Sequence, residues 1–142
     1  MKEVRIIIAG SRDFSNYDLL VNSVNNVIFD LECRNAETGI GNRSRVEERN
    51  QIKIISGRAR GADKYGEQFA EERDYEVVVF PADWDGLGKR AGYVRNAEMA
   101  KFAIADGNFG VLIAFWDGKS KGTKHMIDLA EKYGLEVHIV RV

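Results

Sequence analysis

At 142 residues, 44% of them hydrophobic, the chain has the size of one domain with an ample core. Its 21 Lys and Arg against 22 Asp and Glu leave a net charge of -1, so bulk charge gives no reason to expect a nucleic-acid or membrane-surface protein, although a local basic patch is compatible with it. Cys33 is the single cysteine, which excludes an intrachain disulfide framework and a multi-cysteine metal cluster. A reducing, cytoplasmic setting is the expectation. Lys2 leads straight into a short apolar stretch, with no signal-peptide cleavage pattern and no run long enough for a bilayer, so no targeting segment and no membrane partner are expected.

The first apolar run, Val4 to Ala9, is β-branched and near-continuous, as buried parallel strands are. It opens into Gly10-Ser11-Arg12-Asp13-Phe14. There Gly10 lets the backbone approach a ligand, Ser11 can hydrogen-bond it and Arg12 can fork onto a phosphate, while Asp13 can instead cap the turn. A helix over Tyr17 to Leu31 follows, with Leu20, Val24, Val27, Ile28 and Leu31 on one face. Cys33, just beyond it, reads as a buried small hydrophobe rather than a nucleophile. The polar segment 34–51, with Gly39 and Gly41, breaks the rhythm and reads as a long flexible loop, either a lid or a plain insertion.

The second strand, Ile52 to Ile55, runs into Ser56-Gly57-Arg58-Ala59-Arg60-Gly61-Ala62-Asp63. Two glycines, a serine and two arginines in a strand-to-helix turn form the strongest local anion signal in the chain. The plainer alternative is a turn in which Asp63 neutralises the helix start and the arginines are solvated. The helix over Ala62 to Arg73 aligns Ala62, Tyr65, Phe69 and Ala70. A third buried strand, Val77 to Phe80, leads to Trp84 and Tyr93, either of which can stack on a base, and to Asp83 and Asp85, which can bond ribose hydroxyls. Trp84 can equally seal the core edge, and Lys89 and Arg90 can be ordinary solvated charges. The helix over Ala91 to Ala105 presents Val94, Ala97, Ala100 and Ile104 as its apolar face and carries Arg95 and Asn96 in its first turns, within reach of a phosphate.

The fourth strand, Val111 to Phe115, ends in Trp116-Asp117-Gly118-Lys119-Ser120-Lys121-Gly122-Thr123, and Thr123 either caps the last helix or touches a phosphate. Gly118 and Gly122 are too close for the G-x-x-x-x-G-K-[ST] spacing, which disfavours a P-loop ATPase, and no G-x-G-x-x-G is present. The helix over Thr123 to Tyr133 aligns Met126, Ile127, Ala130 and Tyr133 and carries His125, placed to face the crevice or to play a structural part. Val137 to Val142 alternates, as an edge strand does. No metal site is expected, because neither histidine has spaced partners, and no cofactor is expected. The alternation of strands and helices predicts an α/β Rossmann-like three-layer sandwich with a mainly parallel sheet of about five strands, one domain over residues 1–142.

Gly10-Ser11-Arg12-Asp13-Phe14, Ser56 to Asp63, Arg95-Asn96-x-x-Met99 and Phe115 to Thr123, in this order, resemble the YspA/YpsA-related SLOG family over nearly the whole chain. The resemblance implies a Rossmann-type domain in the superfamily that also holds the LONELY GUY phosphoribohydrolases and DNA-processing protein A, with glycine turns that bind nucleotides or their derivatives, frequent in bacteria and phages. LONELY GUY enzymes use an Arg-Lys-x-x-Met motif and a glutamate in Pro-Gly-Gly-x-Gly-Thr-x-x-Glu. Here Arg95 and Met99 match, but Asn96 replaces the lysine. Gly122 and Thr123 match, but Gly118, Lys119 and Ser120 replace Pro-Gly-Gly, and Met126 stands in the place of the glutamate. Cleaving an N-glycosidic bond needs a carboxylate near its oxocarbenium-like transition state, which leaves Asp117, Glu98 or Asp63, with Arg95, as catalytic candidates.

The favoured expectation is therefore a module that binds or senses a nucleotide or nucleotide-derived small molecule. Its expected ligand-binding residues are Gly10, Ser11, Arg12, Ser56, Gly57, Arg60, Gly61, Asp63, Arg95, Asn96, Asp117, Ser120, Gly122 and Thr123. One alternative is an N-glycosidase acting on nucleoside monophosphates. Another is a nucleic-acid binding protein using Arg58, Arg60, Lys89 and Arg90, a reading the near-neutral charge disfavours. Apolar helix faces leave monomer and homodimer both open.

Overall fold

The computed structural model describes residues 3–37 and 51–142. Five parallel strands, β1 (Val4–Gly10), β2 (Ile52–Ser56), β3 (Glu76–Val79), β4 (Phe109–Trp116) and β5 (Glu136–Arg141), form one sheet in the order β3-β2-β1-β4-β5. Helices α1 (Tyr17–Glu37), α2 (Ala62–Glu72), the short α3 (Trp84–Leu87), α4 (Ala91–Ile104) and α5 (Lys121–Lys132) connect them. The chain steps outward from β1 to β2 to β3, then crosses back through α3 and α4 to place β4 on the other side of β1. That reversal between β1 and β4 is where a parallel α/β sheet opens a crevice beyond its carboxyl ends.

The two-residue period of a strand sends alternate side chains to opposite faces, and β1 shows it directly. Ile6 and Ile8 join a core layer with Leu20, Val24 and Ile28 of α1 and Phe69 of α2. Ile7 and Ala9 join the opposite layer with Met99 and Ala100 of α4 and Met126 and Ile127 of α5. The result is the expected Rossmann-like three-layer sandwich. Arg5, a charge within the apolar run, is buried because its guanidinium donates to Glu3 at 2.9 Å and to the Phe102 carbonyl at 2.6 Å and lies over the Phe102 ring. On the other side of the sheet, Arg34 near the end of α1 forks onto Glu136 of β5, with both hydrogen bonds at 2.8 Å.

Four expectations change. The run at β3 reads as a buried strand, yet β3 is the outer strand beside β2, and its side chains are half-buried or exposed. The buried face of α4 consists of Ala91, Asn96, Met99, Ala100 and Ala103, not the stripe that includes Val94, which is exposed. A polar Asn96 at the centre of the true face hides it from a search for hydrophobic periodicity. Cys33 is exposed, since it falls outside the stripe Leu20, Val24, Val27, Ile28 and Leu31 that turns toward the sheet. Finally, α1 continues through residues 34–37, taking the start of the expected 34–51 loop, and residues 38–50 of it lie outside the described residues.

Gly10 closes β1 where three elements meet. A Cβ there would lie 2.5 Å from the Phe115 carbonyl oxygen of β4 and 2.8 Å from the Ala62 Cβ at the start of α2. Gly10→Ala is therefore expected to destabilise the fold by about 1–3 kcal/mol through overpacking, read as an earlier denaturant midpoint. An unchanged midpoint would show that β1 and α2 can separate without cost.

Candidate functional site

Beyond the carboxyl ends of β1, β2 and β4 lies a crevice of about 200 Å³. Its floor is apolar, from Ala9, Met99 and Met126. Its walls come from Arg12 after β1, Asp63 at the start of α2, Lys89, Arg95 and Asn96 before and within α4, and Ser120, Gly122 and Thr123 at the start of α5. Trp84 of α3 and Tyr93 of α4 form the rim. Three cations thus face one carboxyl group, and the strand-to-helix turns after β1, β2, β3 and β4 converge on the same space.

The two walls are joined at Gly57. The Arg95 Nη1 donates to the Gly57 carbonyl oxygen, while the Asp63 carboxylate accepts the N–H groups of Ala59, at 3.3 Å, and Gly57. A Cβ on Gly57 would lie 2.6 Å from Arg95 Nη1 and 2.8 Å from Asp63 Oδ2, so glycine here is needed for this junction. Asp63 is only 5% exposed. Burial pushes its carboxyl up to about 6, against the opposing pull of the nearby Arg95 charge and the two backbone donors. Burial likewise lowers the Arg95 pKa, opposed by Asp63.

Asn96 continues the network. Its side-chain oxygen accepts from Arg95 Nε at 3.0 Å, and its Nδ2 donates to the Gly122 carbonyl at 3.3 Å and lies 3.2 Å from His125 Nδ1. His125, whose pKa is lowered by burial, packs edge-on against Tyr93 with ring centroids 4.5 Å apart. Ser120 caps α5 by accepting the Thr123 N–H at 3.3 Å, and its hydroxyl pairs with the Thr123 hydroxyl at 2.9 Å. A Cβ on Gly122 would meet nothing within 4 Å. Packing does not demand that glycine, and its bare backbone leaves the first turn of α5 uncovered at the crevice.

Of the residues expected from sequence, Gly10, Arg12, Asp63, Arg95, Asn96, Ser120, Gly122 and Thr123 line the crevice, and Gly57 and Arg60 line a recess beside it. The others go elsewhere. Ser56 is buried and donates to Glu67 at 2.6 Å. Gly61 (φ 83) takes a left-handed conformation that lets α2 start against the carbonyl oxygens of Ser11 and Arg12. Ser11 and Asp117 line a different recess, near Phe14 and Leu19. Asp117 accepts the N–H groups of Ser120 and Lys119, both at 2.8 Å, which lowers its carboxyl pKa and fixes the turn. Ser11 Oγ is buried with no partner at hydrogen-bond distance among the described residues, though it stands near enough to add to that lowering. Glu98 is exposed on α4 and lines none of these recesses. Among the catalytic candidates, only Asp63 and Arg95 share the crevice. Ala9, in the apolar floor, carried no polar signal to single it out.

No helix among the described residues is long and apolar enough to cross a membrane. No family model matches the chain. The chain is 38% identical over 89 residues to the Gene 61 protein of Mycobacterium phage D29, a match that covers 59% of this chain and 67% of that protein. Its fold is similar to that of DNA processing protein A from Streptococcus pneumoniae, with a TM-score of 0.64 and 18% identity, over 99% of this chain and 51% of that one. The chain thus spans about half the length of that structure. By its identity to the phage protein over two thirds of that protein's length, the chain belongs to the family of the Gene 61 protein, carried on a Rossmann-like fold.

Proposed function

We propose that the crevice binds a phosphate-bearing nucleotide or nucleotide-derived ligand, as the resemblance to the YspA/YpsA-related branch implies. The observation that carries this reading is the convergence of Arg12, Lys89 and Arg95 on the uncovered first turn of α5, beneath two exposed aromatic rings. Guanidinium forks and a bare helix start suit phosphate, while Trp84 and Tyr93 offer faces to a base. Arg12 is exposed and free to follow the ligand, whereas Arg95 is held by Gly57 and Asn96 and so is preset.

A second reading, N-glycosidic hydrolysis, is favoured by one observation, the carboxyl of Asp63. Met126 and Asp63 both line the crevice, on α5 and α2, so a carboxyl group is present although not on the helix where the LONELY GUY motif carries it. With a pKa near 6, Asp63 is partly protonated at neutral pH and suited to take a proton from water and return it to a departing base. General acid–base catalysis of this kind contributes about 10²–10⁴-fold, the loss expected for Asp63→Asn if this reading holds.

A thermal-shift screen with nucleoside mono-, di- and triphosphates, with chromatography of each mixture, separates the two readings. Binding is expected to stabilise the protein by about 2.7 kcal/mol at one hundred times the Kd, and Arg12→Ala to reduce that gain at the same concentration. Intact ligand supports binding alone, and free base that vanishes in Asp63→Asn supports hydrolysis. Silence across the panel contradicts both.

Asp63 also imposes a pH dependence on stability. Its folded pKa of about 6 lies above the ordinary value of 3.8 that holds in the unfolded chain, so the folded state holds the proton longer and stability falls as pH rises through this interval. Ionised at pH 7.5, Asp63 is expected to cost up to about 3 kcal/mol. Asp63→Asn is therefore expected to melt higher than the parent at pH 7.5, with a smaller advantage at pH 4. An advantage of the same size at both pH values contradicts the assignment.

A further inference from the structure

The crevice is small for the job proposed for it. Its volume of about 200 Å³ lies below the roughly 300–1,000 Å³ of pockets that enclose a drug-sized ligand. It is not isolated, however. A recess of about 680 Å³ holding Arg58 and Arg60 shares Arg12, Trp84 and Arg95 with it, and on the other flank a recess of about 440 Å³ holding Lys119, Lys121 and Lys124 shares Tyr93 and Ser120 with it.

Each junction carries an aromatic ring. Trp84 is 50% exposed and Tyr93 is 49% exposed, an unusual degree for rings beside a core. The Trp84 ring lies over Gly92, where a Cβ would come 3.4 Å from it, and Tyr93 is braced edge-on by His125. Some of the flanking cations are already paired, Arg58 with Glu67 and Lys124 with Asp128. Arg60 is only loosely paired, 3.7 Å from an Asp13 that is almost fully exposed, and Lys119 and Lys121 have no ion pair among the described residues. A cationic recess, an aromatic ring, a central crevice, a second ring and a second cationic recess therefore follow one another. A single nucleotide offers one base and one phosphate end, and so leaves one ring and one recess unused.

We propose that the ligand is two nucleotide units joined through phosphate, one base against Trp84 and the other against Tyr93, with its charged ends in the Arg60 and Lys121 recesses. This rests on the nucleotide-binding reading and narrows it. A free dinucleotide and a segment of single-stranded nucleic acid share this chemistry, since stacked bases and a cationic track recognise both.

The test is a comparison of Kd values, by calorimetry on the full chain, for the common nucleoside monophosphates, the dinucleotides made from them and phosphorylated at both the 5′ and 3′ ends, and single strands of about ten nucleotides. The best dinucleotide is expected to bind about tenfold or more tightly than its monophosphates, as one added stacked base supplies. The double variant Arg60→Ala/Lys121→Ala is expected to cut this advantage below about threefold. Lys101→Ala/Lys132→Ala, with the same charge lost near the far ends of α4 and α5, is expected to keep it. A ten-nucleotide strand that binds more tightly still identifies the strand as the source, and one that does not identifies the free dinucleotide. Monophosphates that bind as tightly as the longer ligands overturn this proposal and leave the crevice reading standing, as does an advantage that survives in Arg60→Ala/Lys121→Ala. Absence of binding by every ligand removes the crevice reading and this proposal with it.

Discussion

One residue, Gly57, holds the crevice together. Its carbonyl oxygen is taken by Arg95 from α4 and its N–H by Asp63 from α2, so helices on opposite faces of the sheet are tied through one point of the turn between β2 and α2. Asp63 satisfies the turn and partly neutralises the start of α2, Arg95 keeps a fixed guanidinium in the crevice, and Asn96 relays that placement to Gly122 and His125 on α5. The cations that face the crevice are thus of two kinds: a preset Arg95 inside, and exposed Arg12 and Lys89 at its mouth.

The arrangement is costly to keep. A carboxyl that is 5% exposed opposes its own ionisation, and no ion pair joins it to its guanidinium neighbour Arg95. Packing alone does not call for a carboxyl group there, since β1 and β2 around it are built largely from Ile. Its placement in the crevice shared by β1, α2, α4 and α5 is what the proposed function draws on.

Much of the fold is written in local patterns. The β-branched runs give five strands, and the stripe Leu20, Val24, Val27, Ile28 and Leu31 gives the buried face of α1, because period and burial agree there. Sheet order is not local, and so β3, as apolar as its neighbours, could not be recognised as an outer strand. The face of α4 was obscured for the opposite reason: its central residue, Asn96, is polar and buried because of contacts to α5 that sequence spacing does not show. In the site, Gly and Arg in strand-to-helix turns were legible as chemistry but not as direction. Gly61 and Ser56 belong to the same turn as Gly57 but serve its packing, and Asp117 spends its carboxylate on the N–H groups of its own turn.

In the proposed function a nucleotide enters between Arg95 and the start of α5. Amide and indole chemical-shift mapping by NMR during titration with a nucleoside monophosphate tests it most directly. The Gly122, Thr123 and Ala59 amides and the Trp84 indole N–H are predicted to shift together and saturate along one binding curve, with the residues lining the recess at Ser11 and Asn16 unmoved. Shifts confined to that second recess, or none at saturating nucleotide, would contradict the account.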